Sequence, residues 1–145
     1  MACTTFGILL FEKVEELDFV GPWEVFGAVR KAGHETRVVS IAEKEGPVLC
    51  ANGLRVMPDY TFATAPDLDV VLVPGGMGTR TEIDNPALIA WLRGAGSRCS
   101  WVTSVCTGSY LLHGAGFTKG RRITTHWAFV ETLREAAQDA TVLED

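Results

Sequence analysis

Short apolar runs rich in β-branched residues alternate with longer runs whose apolar residues recur at helical spacing. This alternation constrains the fold of the 145-residue chain more than any other feature. "TFGILLF" (5–11) is almost wholly apolar, as is a strand buried on both faces. "ETRVVSI" (35–41), "LDVVLVPGG" (68–76) and "SWVTSV" (100–105) are further strands, the second of these buried and running into a glycine turn. Between them, "GPWEVFGAVRKAG" (21–33) sets Trp23, Phe26, Val29 and Ala32 on one helical face, with Pro22 suited to a first turn and Gly33 to a stop. "NPALIAWLRGAG" (85–96), a stretch from about Thr107, and "WAFVETLREAAQDA" (127–140) are the other helices, and "TVLE" opens one more strand. In "VLCANGLRVMPDYTF" (48–62), Asn52-Gly53 between two extended runs is a strong hairpin signal. Strand, helix, strand in repetition predicts a parallel sheet wrapped by helices on both faces. With no repeat, linker or low-complexity segment, residues 1–145 read as one domain. The stop at Asp145, directly after an apparent strand, suggests a trimmed chain or another element over that edge of the sheet.

Composition narrows the function. A 47% hydrophobic, 21% charged chain is an ordinary globular one, and its length can bury a core without disulfides or metals. A formal net charge of −5 with no basic run argues against nucleic acid as the main partner. No apolar stretch reaches the roughly 18 residues of a membrane span. "MACTTFGILLFEKVEEL" lacks a basic n-region and reads as a first strand, which places the protein in the cytosol. Cys3, Cys50, Cys99 and Cys106 are irregularly spaced in what is then a reducing compartment, so disulfides are not expected. Nor do His34, His113 and His126 show metal-ligand spacing, and no metal site is expected.

In open parallel sheets functional groups gather at the carboxyl ends of the strands. Three segments leave strands there with suggestive chemistry: Asp18 in "EELDFVGP", the "PGGMG" turn (74–78), and Cys106 in "TSVCTGS". A cysteine at a strand-to-helix turn meets the first amides of the helix, which favour the thiolate; a buried cysteine is equally well a small hydrophobe. Small neighbours Ser104, Thr107, Gly108 and Ser109 permit a tight turn. The Gly75 and Gly76 amides, free of side chains, suit an oxyanion-type hole, or simply a turn. Asp18 is a candidate acid or base whose pKa the apolar neighbours Leu17, Phe19 and Val20 would raise; it also suits a cap just before the helix. His113 falls two turns beyond Cys106, about 10 Å by helical rise, too far to take the thiol proton. His126 in "TTHW" invites a cysteine–histidine pair that sequence alone does not bring together.

These segments resemble the ThiJ/PfpI (DJ-1-like) superfamily. The matches are "LDFVGPWEVF", "DVVLVPGGMG" and "VTSVCTGSYLLHGAGFTKGRRITTHWAF", in order through essentially the whole chain. The resemblance implies a flavodoxin-like, doubly wound α/β fold with a nucleophile elbow after a central strand. Asp18 in the "LD…GP" segment, "SVCTGS" and "RRITTHW" are most similar to the isocyanide hydratase branch. Protease-like members carry His where Thr107 stands, and human-type and glyoxalase-type members carry Glu where Asp18 stands. The ligand-binding-like domains of AraC-type transcription regulators share the "GPWEVF", "SVCTG" and "TTHW" patterns, but add a helix-turn-helix domain not present in these 145 residues. The family usually continues through a further strand and a "TSAG…AGID" helix, so the chain is expected to lack its C-terminal strand and helix.

What the branch resemblance implies is a cofactor-free homodimer that hydrates a small electrophile. An isocyanide becomes an N-substituted formamide, with Cys106 as nucleophile, Asp18 as acid and then base, and Thr107 orienting water. Gly75, Gly76 and Gly108 would form the oxyanion and substrate-binding backbone, with His126 and Trp127 in a largely apolar pocket. The alternatives are the sensing domain of a regulator and a glyoxalase-like activity on the same cysteine.

Overall fold

The computed structural model describes residues 3–144; Met1 and Ala2, at the head of the expected first-strand stretch, and Asp145, the expected point of trimming, lie outside them. In chain order the elements are β1 (Thr4–Leu9), α1 (Glu16–Lys31), β2 (Thr36–Ala42), β3 (Val48–Leu49), β4 (Arg55–Val56), β5 (Tyr60–Thr61), β6 (Val70–Val73), α2 (Thr79–Glu82) and α3 (Pro86–Gly96). Then come β7 (Trp101–Ser104), α4 (Gly108–Gly114), β8 (Arg122–Ile123), a 3-10 turn over Trp127–Phe129, α5 (Val130–Ala136) and β9 (Thr141–Val142).

The main sheet has the order β5-β2-β1-β6-β7, and every neighbouring pair is parallel. Ile8 and Leu9 in β1, and Val71 and Leu72 in β6, are buried, and because successive strand residues point to opposite faces, both strands are covered on both. Order along the sheet reverses between β1 and β6, the kind of switch point that opens a crevice at the strands' carboxyl ends. A smaller cluster of Phe129, Val130, Leu133, Ala137 and Val142 joins the last helix to the two-stranded β8–β9 sheet.

The parallel α/β layout follows the sequence reading; several elements do not. α1 begins at Glu16, five residues before the expected start, and carries Pro22 in its interior. Proline removes the bond to the carbonyl four residues back, yet the helix starts earlier because its first turn is anchored from outside. The Glu16 carboxylate accepts the Asn52 amide N–H at 2.7 Å and Nδ2 at 2.8 Å, and the Glu15 N–H donates to Gly75 O at 2.9 Å. The Asn52-Gly53 hairpin forms as β3–β4, but Tyr60–Thr61 leaves it to pair parallel with β2 as the sheet edge. The expected 127–140 helix is a 3-10 turn followed by the shorter α5. β7, which bears the elbow, is an edge strand among the described residues, not a central one, and Trp101 on it is exposed.

Candidate active site

Three loops converge where β1, β6 and β7 end. After β1, Lys13 takes a left-handed conformation (φ 60°) and brings its carbonyl to the Gly78 N–H at 3.2 Å. The Pro74–Gly78 turn fits into that bend so closely that only glycine serves. A Cβ on Gly76 (φ +116°) would lie 2.5 Å from Glu15 N, and one on Gly78 2.0 Å from Glu12 O. A Cβ on Gly75 would lie 2.6 Å from Thr107 N and 2.9 Å from the Asp18 carboxylate.

Cys106 stands on the elbow after β7 with φ 54°, a left-handed conformation costing a non-glycine residue roughly 1–3 kcal/mol. Its surroundings impose it. The Cys106 carbonyl accepts from Thr125 Oγ1 at 3.1 Å and Ser109 Oγ at 3.3 Å, and the Val105 N–H donates to Val73 O at 3.0 Å. Gly108 then passes so near β6 that a Cβ would lie 2.0 Å from Val73 O.

Asp18 sits in the first turn of α1, not ahead of it, and makes no capping bond with its side chain; Oδ2 instead accepts the Gly75 N–H at 3.0 Å. Of its apolar neighbours only Phe19 is buried, while Leu17 and Val20 are exposed. The Gly76 N–H donates to Thr107 Oγ1 at 3.1 Å. Both amides expected to form an oxyanion hole are therefore engaged, one by the candidate acid and one by the candidate water-orienting hydroxyl. Gly108 is buried against β6 and helps to shape the elbow.

Burial pushes the Cys106 thiol above its ordinary pKa. The Asp18 charge and its hydrogen bond to the sulfur push the same way, while the Thr107 N–H and hydroxyl oppose them. This reverses the depressed thiol expected from a helix start alone: α4 has only seven residues, and the carboxylate opposite favours the protonated sulfur. Burial, with Glu16 and Glu12 adding to it, lifts Cys50 to about 11. Burial also raises Cys99, with Asp69 adding and Arg98 opposing. All four cysteines are free.

Glu15, Leu17, Asp18, Gly76, Met77, Arg80, Cys106, Thr107 and His126 line one open cavity of about 310 Å³. His126 thus shares the cavity with Cys106. Its Nδ1 accepts the Ala128 N–H at 3.2 Å, which leaves the ring proton on Nε2. Trp127 is exposed and outside the cavity lining, and His113 turns away to pair with Thr118 Oγ1 at 3.3 Å. With two carboxylates, a guanidinium and an imidazole, the wall is more polar than expected. Arg80 escaped the sequence reading because one arginine in "GMGTRTE" resembles a solvated residue. Among the described residues no group of three or more His, Cys, Asp or Glu is placed to hold a metal ion, and no helix is long and apolar enough to cross a membrane.

Residues 6–145 match the DJ-1/PfpI family. An isonitrile hydratase of Pseudomonas putida is 37% identical over 127 residues, 88% of this chain and 54% of the relative, so the chain spans about half the length of that protein. The HTH-type transcriptional regulator CdhR of Pseudomonas aeruginosa is 31% identical over 100 residues, 69% of this chain and 30% of its own. A THiJ/PfpI family protein from Pseudomonas syringae has a similar structure, with TM-score 0.90 and 31% identity over 100% of this chain and 58% of its own.

Proposed function

The chain belongs to the DJ-1/PfpI family, and from that premise we propose that it hydrates an isocyanide, R–N≡C, to an N-substituted formamide, R–NH–CHO. One observation carries the reading: a cysteine on a strained elbow shares a cavity with a carboxylate that bears on its sulfur, in a chain 37% identical to an isonitrile hydratase. Because Cys106 is held protonated, Asp18 first takes the thiol proton. The thiolate then attacks the terminal carbon, and Asp18 returns the proton to that carbon, giving the thioimidate R–N=CH–S–Cys106. In the second half the Asp18 carboxylate takes a proton from water oriented by the Thr107 hydroxyl. The hydroxide adds to the thioimidate carbon, nitrogen gains a proton, and the C–S bond breaks to release formamide and thiol. The Thr107 N–H, and the Gly76 N–H through the hydroxyl it holds, stabilise the charge that develops.

Incubation with phenyl isocyanide, following the formamide by absorbance, tests the reading. Turnover that disappears in Cys106→Ala supports it. A second reading, the sensing domain of a transcription regulator, is favoured by the 31% identity to CdhR. It predicts no turnover by the intact protein, but a raised Tm with a small-molecule ligand.

The same reading includes a homodimer in the cytosol. Four free thiols accord with a reducing compartment. Val20 and Trp23 of α1, with Leu54 and Met57 beside β4, are exposed apolar residues along one groove. A second copy seated there would remove them from water. Sedimentation of the wild type as a dimer and of Val20→Glu as a monomer is the expected result; a wild-type monomer refutes the dimer.

A further inference from the structure

Within the proposed reaction, an isocyanide offers the enzyme almost nothing to hydrogen-bond, so the group that orients it must be found on R. Among the described residues Arg80 is the only lysine or arginine lining the cavity. Among the described residues one nitrogen, Nη1, makes all of its side-chain hydrogen bonds: to Gly76 O at 3.1 Å, Thr79 Oγ1 at 3.1 Å and Thr107 Oγ1 at 3.3 Å. The guanidinium carbon lies 4.5 Å from the centroid of the buried Phe129 ring. Three oxygens on one nitrogen and an aromatic ring beneath the plane fix the orientation of the group. Thr79, which supplies one of those oxygens, is itself fully buried.

The rest of the guanidinium is uncommitted. Among the described residues Nε and Nη2 make no hydrogen bond, and none of the ion pairs includes Arg80, although Glu15 and Asp18 line the same cavity. A planar, weakly hydrated fork held in this way matches a carboxylate. It is also close to the chemistry, because the hydroxyl it touches belongs to Thr107, the residue after the nucleophile.

We propose that Arg80 is an anion subsite beside Cys106, and that the isocyanide hydrated here carries a carboxylate on its R group. The substrate half of this inference rests on the hydratase reading, so the experiment has two arms. In the first, Cys106 is alkylated with iodoacetate, an anion, and with iodoacetamide, its neutral counterpart. The ratio of the two rates is compared between the intact wild-type chain and Arg80→Met, with labelling of Cys99 as the internal control. The ratio is expected to fall at least about tenfold in Arg80→Met and to be largely kept in Arg80→Lys. A mere disturbance of the elbow through Thr107 changes both rates together and leaves the ratio alone.

In the second arm, kcat/KM for 4-isocyanobenzoate is compared with that for phenyl isocyanide; a preference for the acid that Arg80→Met abolishes is the expected result. Hydration of phenyl isocyanide with no preference for the acid, and an unchanged alkylation ratio, would overturn the subsite while sparing the hydratase. Failure to hydrate either isocyanide, with the ratio still falling in Arg80→Met, supports the subsite and overturns the hydratase reading.

Discussion

Two of the turns in this molecule that hold a glycine at positive φ, the hairpin tip at Gly53 and the turn at Gly76, are built on opposite principles. In the hairpin tip, Gly53 (φ +95°) has no atom within 4 Å of where a Cβ would sit; the turn follows from the Asn-Gly pair itself. In the Pro74–Gly78 turn and the elbow facing it, Gly75, Gly76, Gly78 and Gly108 each have backbone within 2.0–2.6 Å of that position. The hairpin needs glycine for its conformation, the site for the approach of one backbone to another. The geometry of the candidate site is a property of packing between loops, whereas the hairpin is a property of four or five consecutive residues.

The sharpest way to break this contrast is with alanine. Gly108→Ala forces a methyl onto Val73 O inside the sheet and is expected to cost roughly 3 kcal/mol or more, enough to lower Tm by many degrees or prevent folding. Gly53→Ala, strained but unobstructed, is expected to cost about 1 kcal/mol. Thermal melts of the two variants, with Gly75→Ala between them, read the difference. Equal losses at the two sites would mean that the close approach at the elbow is easily relaxed.

Whether the carboxylate in the packed site does more than brace it is separable by Asp18→Asn. Asparagine keeps an oxygen for the Gly75 N–H, so stability should change by less than about 0.5 kcal/mol. It cannot take up a proton and return it, so hydration should fall by at least about 100-fold. Cys106→Ala should be as inactive, and the double variant no worse than either single one, since the two groups act as a unit. A stable Asp18→Asn protein of full activity would reduce Asp18 to a brace.

The same division between local and packed features decides what was legible in the sequence. Apolar runs gave away the four long strands, and Asn52-Gly53 gave away the hairpin, because those signals are carried by adjacent residues. The three segments that meet at the site were also visible, since the parallel sheet sends Asp18, Gly75 and Cys106 to one end. The true start of α1 was hidden because Gly21-Pro22 looks like a beginning, while the anchors that hold its first turn come from Asn52 and Gly75. β8 was hidden because two residues of strand acquire their meaning only from pairing with β9. Arg80 and Thr125 act through contacts with Thr107, Phe129 and the Cys106 carbonyl, and no spacing rule encodes such contacts.

The thiol expected to be acidic shows the same limit and gives the smallest, most diagnostic effect. A cysteine before a helix reads as a depressed pKa, but in place its burial and the facing Asp18 lift it, against the pull of Thr107. Asp18→Asn removes the negative charge and the carboxylate's bond to sulfur while leaving the burial. The Cys106 pKa should therefore fall back toward the ordinary thiol value, and the pH profile of iodoacetamide labelling should move to lower pH. At a fixed neutral pH a larger share of Cys106 is then thiolate, so the variant labels faster than the wild type while hydrating far more slowly. Cys50, raised by burial and by Glu16 and Glu12, should not move. If the Cys106 profile stayed in place, burial and Thr107 would set the thiol between them, and Asp18 would lose its electrostatic hold on the sulfur.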